Sequence, residues 1–309
     1  MSSVSMAMLS LEYNNSNGSD TNSDMRLGPP IFLIVSSAVN LLSLLLLLPY
    51  IPVLRAAWKL PKSDMLPWIV LNLFLIAINT LGRSNVNLIK AISDSRLGHN
   101  EWMLSISSYC RSLLWSLTLS FVANNITPLV LALIEVVCLR RPGLASKQWL
   151  FNCVGSVGIW VVSLGMGVPF LFFTYRNAIT CTETEYDYQY VIGVVNIFFY
   201  ALAVYAVFLF YMTLSRQLIW KPSQIIAMEA MICALSLYNI LITTTATVVV
   251  VSPSLSEILS SIAVGILGLV DLILNLSGLI IFCRYKEAQR LAKAMLPCCW
   301  RKCSVQPQN

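Results

Sequence analysis

What most constrains this chain is recurrence. Apolar stretches long enough to cross a membrane follow one another from end to end, over 31–54, 65–89, 106–138, 149–174, 189–214, 224–251 and 257–283. About 20 apolar residues in an α-helix cover the ~30 Å hydrocarbon core of a bilayer. Lipid offers no hydrogen-bond partner to an open backbone, so helices are the expected form. Charged residues make up only 11% of the chain, against roughly 25% in a soluble domain. The expected fold class is an all-α membrane protein, a seven-transmembrane helix bundle. Residues 1–29 form a polar tail, 30–284 the bundle, and 285–309 a short amphipathic surface helix with a cysteine-containing tail.

Lys and Arg set the expected direction. With the N-terminus outside, the cytoplasmic side collects Arg55, Lys59, Lys62, Arg140, Arg141, Lys147, Arg216, Lys221 and the basic residues from Arg284 onward. The outer side keeps only Arg26, Arg83, Lys90, Arg96, Arg111 and Arg176. This asymmetry predicts a multi-pass plasma-membrane protein with an extracellular N-terminus. It also accounts for the net charge of +6 without nucleic acid as a partner. Asn14 and Asn17 begin Asn-x-Ser sequences on the outer tail and are the expected glycosylation sites. The first residues have no basic-then-apolar pattern, which argues against a cleaved signal peptide. In "RYKEAQRLAKAMLPCCW", Arg284, Lys286, Arg290 and Lys293 alternate with Tyr285, Leu291, Ala294 and Met295 at helical spacing. That reads as a helix lying on membrane lipids. Cys298, Cys299 and Cys303 follow it as candidates for palmitoylation, with unmodified thiols the alternative.

Cys110 opens the third span on the outer side, and Cys181 lies in the second outer loop. Both face an oxidising compartment, so a disulfide between them is expected, against the alternative of two free thiols.

Seven spans, an outer N-terminus, this pair of cysteines and a terminal surface helix together resemble the rhodopsin-like (class A) G-protein-coupled receptors. Asn40 in "SSAVNLLSLL", Trp160 in "VGIWVVSLGMGVP" and Pro169 resemble that family's markers of helices 1 and 4. The resemblance implies a receptor for an extracellular ligand that signals through a heterotrimeric G protein. It also implies a switch at the inner end of helix 3, where the family has Asp-Arg-Tyr. The family's Arg lies 25 residues after the helix-3 cysteine and seven before a loop proline; both counts, from Cys110 and from Pro142, land on Glu135. A glutamate reverses the charge of that slot. Arg140, Arg141 or the basic start of helix 6 would be its partners, and Glu229 on helix 6 would repel it.

Other departures accompany it. Ser277-Gly278-Leu279-Ile280-Ile281 stands where the family has Asn-Pro-x-x-Tyr. Helix 6 lacks Trp-x-Pro, helix 5 a proline and helix 2 its central Asp. Divergent chemosensory and orphan receptors lose such motifs too, so an odorant-type ligand is one expectation.

Polar residues within spans face the interior, because an unpaired one costs several kcal/mol. Asn40, Asn79, Asn124 and Asp271 fall at middling depths on four spans and are expected to form one polar cluster; the alternative is separate bonds between helices. Arg83, Asn87, Arg111, Tyr238 and Asn239, with Asp271, are the candidate lining of an outer ligand pocket, and two arginines there suit an anionic ligand. The alternative is that both arginines snorkel to the head groups.

No enzyme is expected. The single histidine lies in an outer loop, the seventh span has no lysine for a retinal Schiff base, and no phosphate-binding loop or metalloprotease motif occurs. No cofactor or metal is implied. Two other functions stand beside the receptor: a receptor-like protein that acts through partners without a G protein, and a small-solute transporter or channel.

Overall fold

The structure is a computed structural model that describes residues 28–95, 106–173, 188–216, 220–251, 272–273 and 275–295. Every regular element among them is helical. In chain order these are α1 (Gly28–Leu47), α2 (Tyr50–Ala57), α3 (Leu66–Ser95), α4 (Ile106–Arg140), α5 (Pro142–Ala145), α6 (Gln148–Gly167), α7 (Tyr188–Leu214) and α8 (Pro222–Val251). The described residues end in α9 (Asn275–Arg284) and α10 (Lys286–Met295). Five of the expected seven segments appear as helices long and apolar enough to cross a membrane: Ile34–Ala57, Leu66–Lys90, Ser108–Arg140, Gln148–Leu171 and Val191–Leu214. Pro222–Ser236 and Asn275–Arg284 are shorter apolar helices, and the remainder of the last two segments lies largely outside the described residues.

The packing is inside-out relative to a soluble bundle. Val154, Val157 and Val161 on α6 and Phe198, Tyr205 and Phe208 on α7 are more than half exposed, whereas Asn72, Asn125, Asn152 and Asn275 are fully buried. Water would penalise that arrangement. A hydrocarbon surrounding rewards it, because polar groups then find partners only inside.

The bundle is organised on α4, which packs against α3, α6, α7 and α8. Two thirds of its span is buried (67%), against 17% of the α1–α2 span at the rim. Pro128 sits inside α4. It has no N–H to give to the Asn124 carbonyl, so the helical ladder is interrupted there. Beside it, Thr127 turns its hydroxyl back along the helix and donates to the Ala123 carbonyl at 2.7 Å.

The first expected span is broken at Leu48–Pro49, and proline chemistry explains it. Pro49 cannot reach the Leu45 carbonyl, which accepts from Leu48 N–H instead at 3.2 Å. Pro52 cannot reach the Leu48 carbonyl, which accepts from Ile51 N–H at 3.2 Å. Two tighter turns thus replace two missing bonds. The break turns Tyr50 inward, fully buried with its ring centroid 5.7 Å from that of Phe74. Gly278 of α9 lies against this ring, so close that a Cβ there would stand 2.2 Å from Tyr50 Cε2.

Beyond α9, α10 folds back onto α2. Ala288 is fully buried, and Tyr285 donates its hydroxyl to the Ala56 carbonyl at 3.4 Å. Gln289 donates its amide to the carbonyls of Phe282 (3.1 Å) and Cys283 (2.8 Å), satisfying groups that the end of α9 leaves open.

Candidate functional site

Three starts and one end of helices meet around Glu135. It lies on the last turns of α4, is 5% exposed, and accepts from two side-chain amides, Gln148 at the start of α6 and Gln224 in the first turn of α8. The Gln224 bond is 3.1 Å. The direction of this amide is fixed locally. Gln224 is the third residue of α8, and its Oε1 accepts the backbone N–H of Lys221 at 3.2 Å, the glutamine half of a capping box. Its NH2 is therefore left to point at Glu135. Both carboxylate oxygens thus accept N–H donors, as an ionised carboxylate requires.

Asp64 joins the same end from the loop before α3. One of its oxygens caps α3 by accepting Leu66 N–H at 3.0 Å, and the other accepts the hydroxyl of Ser223 at 2.6 Å. Pro61, Ser63, Asp64, Glu135, Gln148, Lys221 and Gln224 line a partly open pocket of about 60 Å³. That is room for a few water molecules among polar walls. The arrangement ties the α2–α3 loop, α4, α6 and α8 together at one end of the bundle by hydrogen bonds that cross between helices.

Of the partners expected for Glu135, the basic start of α8 is represented by Lys221, which lines the same pocket without an ion pair, and the other two are corrected. Arg140 and Arg141 are exposed and make no ion pair with it. The two glutamines reach it because Gln148 and Gln224 each open a helix that packs on α4, whereas Arg140 and Arg141 lie beyond its last buried turn. Glu229 does not confront Glu135 either. It forms a two-point pair with Arg284 of α9, at 2.7 and 3.0 Å.

Of the two arrangements expected for the asparagines, the structure shows separate bonds between helices and no single cluster. Asn40 donates to Asn85 Oδ1 (2.6 Å), Asn79 to the Ser116 carbonyl and Ser120 hydroxyl (2.8 and 2.7 Å), and Asn124 to the Ala234 carbonyl (3.3 Å). Each asparagine bridges its own pair of helices. Asp271 lies outside the described residues.

At the other end of α4, Cys110 is buried and disulfide-bonded. Its expected partner Cys181 lies outside the described residues, as do Asn14, Asn17, Cys298, Cys299 and Cys303. Arg83 is 2% exposed, which corrects the snorkelling alternative for that residue: its guanidinium is inside the protein. Arg111 donates to the Phe173 carbonyl at 3.1 Å, and Asn87 accepts the hydroxyl of Tyr109 at 3.1 Å. Tyr238 and Asn239 fall on α8, where the backbone path alone is described.

Three residues that hold helices together here are not among those the sequence singles out. Gln148 and Gln224 are glutamines at helix starts. Asn72 joins α3 to α6 by donating to Ser156 (2.9 Å) and accepting the indole N–H of Trp160 (2.9 Å). The capping position of Gln224, two residues after a helix-opening proline, is the one cue that marks it in advance. On α6, one turn after Gln148, Asn152 is fully buried and neither of its amide atoms has a hydrogen-bond partner among the described residues.

No family model matches the chain, and no curated protein matches it.

Proposed function

We propose that this chain is a divergent rhodopsin-like receptor of the plasma membrane. It crosses the bilayer seven times with its N-terminus outside, senses an extracellular ligand and signals through a heterotrimeric G protein. The observation that carries the proposal is the setting of Glu135. Twenty-five residues of α4 separate it from the disulfide-bonded Cys110, about 38 Å along a helix, so the two stand at opposite faces of a membrane. There Glu135 joins α4 to α8 through Gln224 and to α6 through Gln148. The family keeps its switch at this place. In this chain a carboxylate held by two neutral amides stands in for an arginine held by acids, and releasing it frees α8 to move away from α4. The disulfide from Cys110 to Cys181 belongs to the same proposal, as does an outer pocket near Arg83 and Arg111.

One observation favours a second reading. Both oxygens of Glu135 are satisfied by neutral amides, so nothing positive is released to meet a G protein. A receptor-like protein that works through partners alone would have this inner face.

Signalling in cells separates the two readings. Wild type, Glu135→Arg and the double variant Gln148→Ala/Gln224→Ala are expressed at matched surface levels and assayed for basal activation of each G-protein family. The receptor proposal expects the double variant to raise basal signalling several-fold, because it removes both ties. If no chain activates any G protein at good surface expression, coupling is refuted and the partner reading takes its place.

A further inference from the structure

The end of the molecule that holds Glu135 also carries a surface that this network does not use. On α2, Ile51, Arg55 and Trp58 follow one another at helical spacing and all point outward; Ile51 is 53% and Trp58 55% exposed, while Val53, Ala56 and Ala57 on the opposite side are buried. The stripe passes from aliphatic to cationic to aromatic along the axis, and Lys59 and Lys62 continue it, both exposed. Aromatic and cationic side chains that follow an aliphatic one mark the place where a helix leaves hydrocarbon for head groups. The loop that presents the lysines is braced. Trp58 and Trp68 lie 6.1 Å apart between ring centroids, and Trp68 donates its indole N–H to the Lys62 carbonyl at 3.2 Å.

On α10, Lys286, Arg290 and Lys293 stand at i, i+4 and i+7 and are all exposed, on the side away from buried Ala288. Because α10 packs on α2, both cationic stripes belong to one corner of the protein. Glu287 neutralises one of these cations, Arg290, at 3.6 Å, while Arg55, Lys59, Lys286 and Lys293 make no ion pair among the described residues. Asp64 is turned to Leu66 and Ser223.

We propose that the outward faces of α2 and α10 form one docking surface for the anionic phospholipid head groups of the adjoining leaflet. Arg55, Lys59, Lys286 and Lys293 supply the charge, and Ile51 and Trp58 enter the acyl and interfacial layers. The inference rests on the chain being a membrane protein and is independent of whether it couples to a G protein. Clusters of several cations beside a membrane helix draw anionic lipid with about a fivefold gain for each cation near the surface.

The test uses the full chain in phosphatidylcholine bilayers that contain a minor fraction of phosphatidylserine. After mild detergent extraction, the lipids retained by the protein are counted by native mass spectrometry. Four chains are compared: wild type, Arg55→Gln/Lys59→Gln, Lys286→Gln/Lys293→Gln, and the control Arg140→Gln/Arg141→Gln, which removes two exposed cations from the end of α4. The proposal expects phosphatidylserine to be enriched over its bulk fraction in wild type and control, and each of the other two pairs to lower that enrichment at least about fivefold. The four residues are exposed, so little folding penalty is expected; the pairs lie on separate helices, and if one variant fails to fold the other decides. No enrichment in wild type overturns the proposal, as does an equal loss in the control, which would mark a simple effect of net charge. A surface meant for an acidic protein would give the same lipid ratio in all four chains, again overturning it. Release of the wild type from bilayers by alkaline carbonate would instead refute the membrane reading beneath it.

Discussion

The contact between Gly278 and Tyr50 gives the most exacting test of the packing. Replacing Gly278 by alanine places a methyl group 2.2, 2.4 and 2.5 Å from three carbons of the Tyr50 ring. The ring is fully buried and lies at a tilt against Phe74, so it has little room to retreat. Forcing a methyl into a filled core costs about 1–3 kcal/mol, and alanine recovers up to ~1 kcal/mol of helix propensity over glycine. The net loss is then on the order of 1–2 kcal/mol, which at roughly 2–4 °C per kcal/mol lowers Tm by several degrees. Other glycines calibrate the result. At Gly158 and Gly165 on α6, an added Cβ would meet nothing within 4 Å, so alanine there should leave Tm unchanged or slightly higher. Gly155 should be intermediate, because the nearest atom to its added Cβ is the flexible tip of Ile134 at 2.8 Å. Thermal unfolding of the purified chain in one detergent, followed by exposure of the buried Cys138 thiol, reads all four variants. The argument fails if Gly278→Ala is as stable as Gly158→Ala. It gains if Tyr50→Leu restores part of the loss in the Gly278→Ala background.

Three more outcomes follow from particular contacts. Asn152→Leu should raise Tm by a few degrees, because a buried amide with no partner among the described residues gives way to an apolar group of similar size; a fall in Tm would mean that a bound water satisfies the asparagine. A double-mutant cycle on Arg284 and Glu229 should return a small coupling that fades in high salt, since the arginine side chain is 64% exposed; a large, salt-insensitive coupling would refute that. Pro128→Ala supplies the N–H that the Asn124 carbonyl lacks, so amide exchange in the middle of α4 should slow; unchanged exchange would show that the ladder is not weakened there.

Much of the fold could be read from the sequence because length and hydropathy act along the chain. The helical class, the limits of α4 and the presence of a tail helix all follow from patterns within one element. The break at Leu48 did not, although Pro49 and Pro52 stand in plain sight: prolines are common inside membrane helices, and only the tertiary fit of Tyr50 makes this pair a corner. The site divides in the same way. Glu135 stood out as a carboxylate in an apolar run. Its partners did not, because Gln148 and Gln224 are 13 and 89 positions away, and both lie at helix starts among other polar residues, where one more amide is not distinctive. Similar depth suggested that Asn40, Asn79 and Asn124 would meet. Depth fixes height in the membrane and leaves the direction around each helix open, and the three point at different neighbours.

The interruption at Pro128 makes α4 two stiff rods with a compliant joint. The inner rod, from Asn124 to Glu135, is 11 residues long, or about 16 Å. A bend of about 10° at the joint therefore carries Glu135 sideways by roughly 3 Å, about the length of the hydrogen bonds that hold it. The joint works as a lever: a tilt too small to disturb the packing around Asn124 is enough to part the carboxylate from its amides.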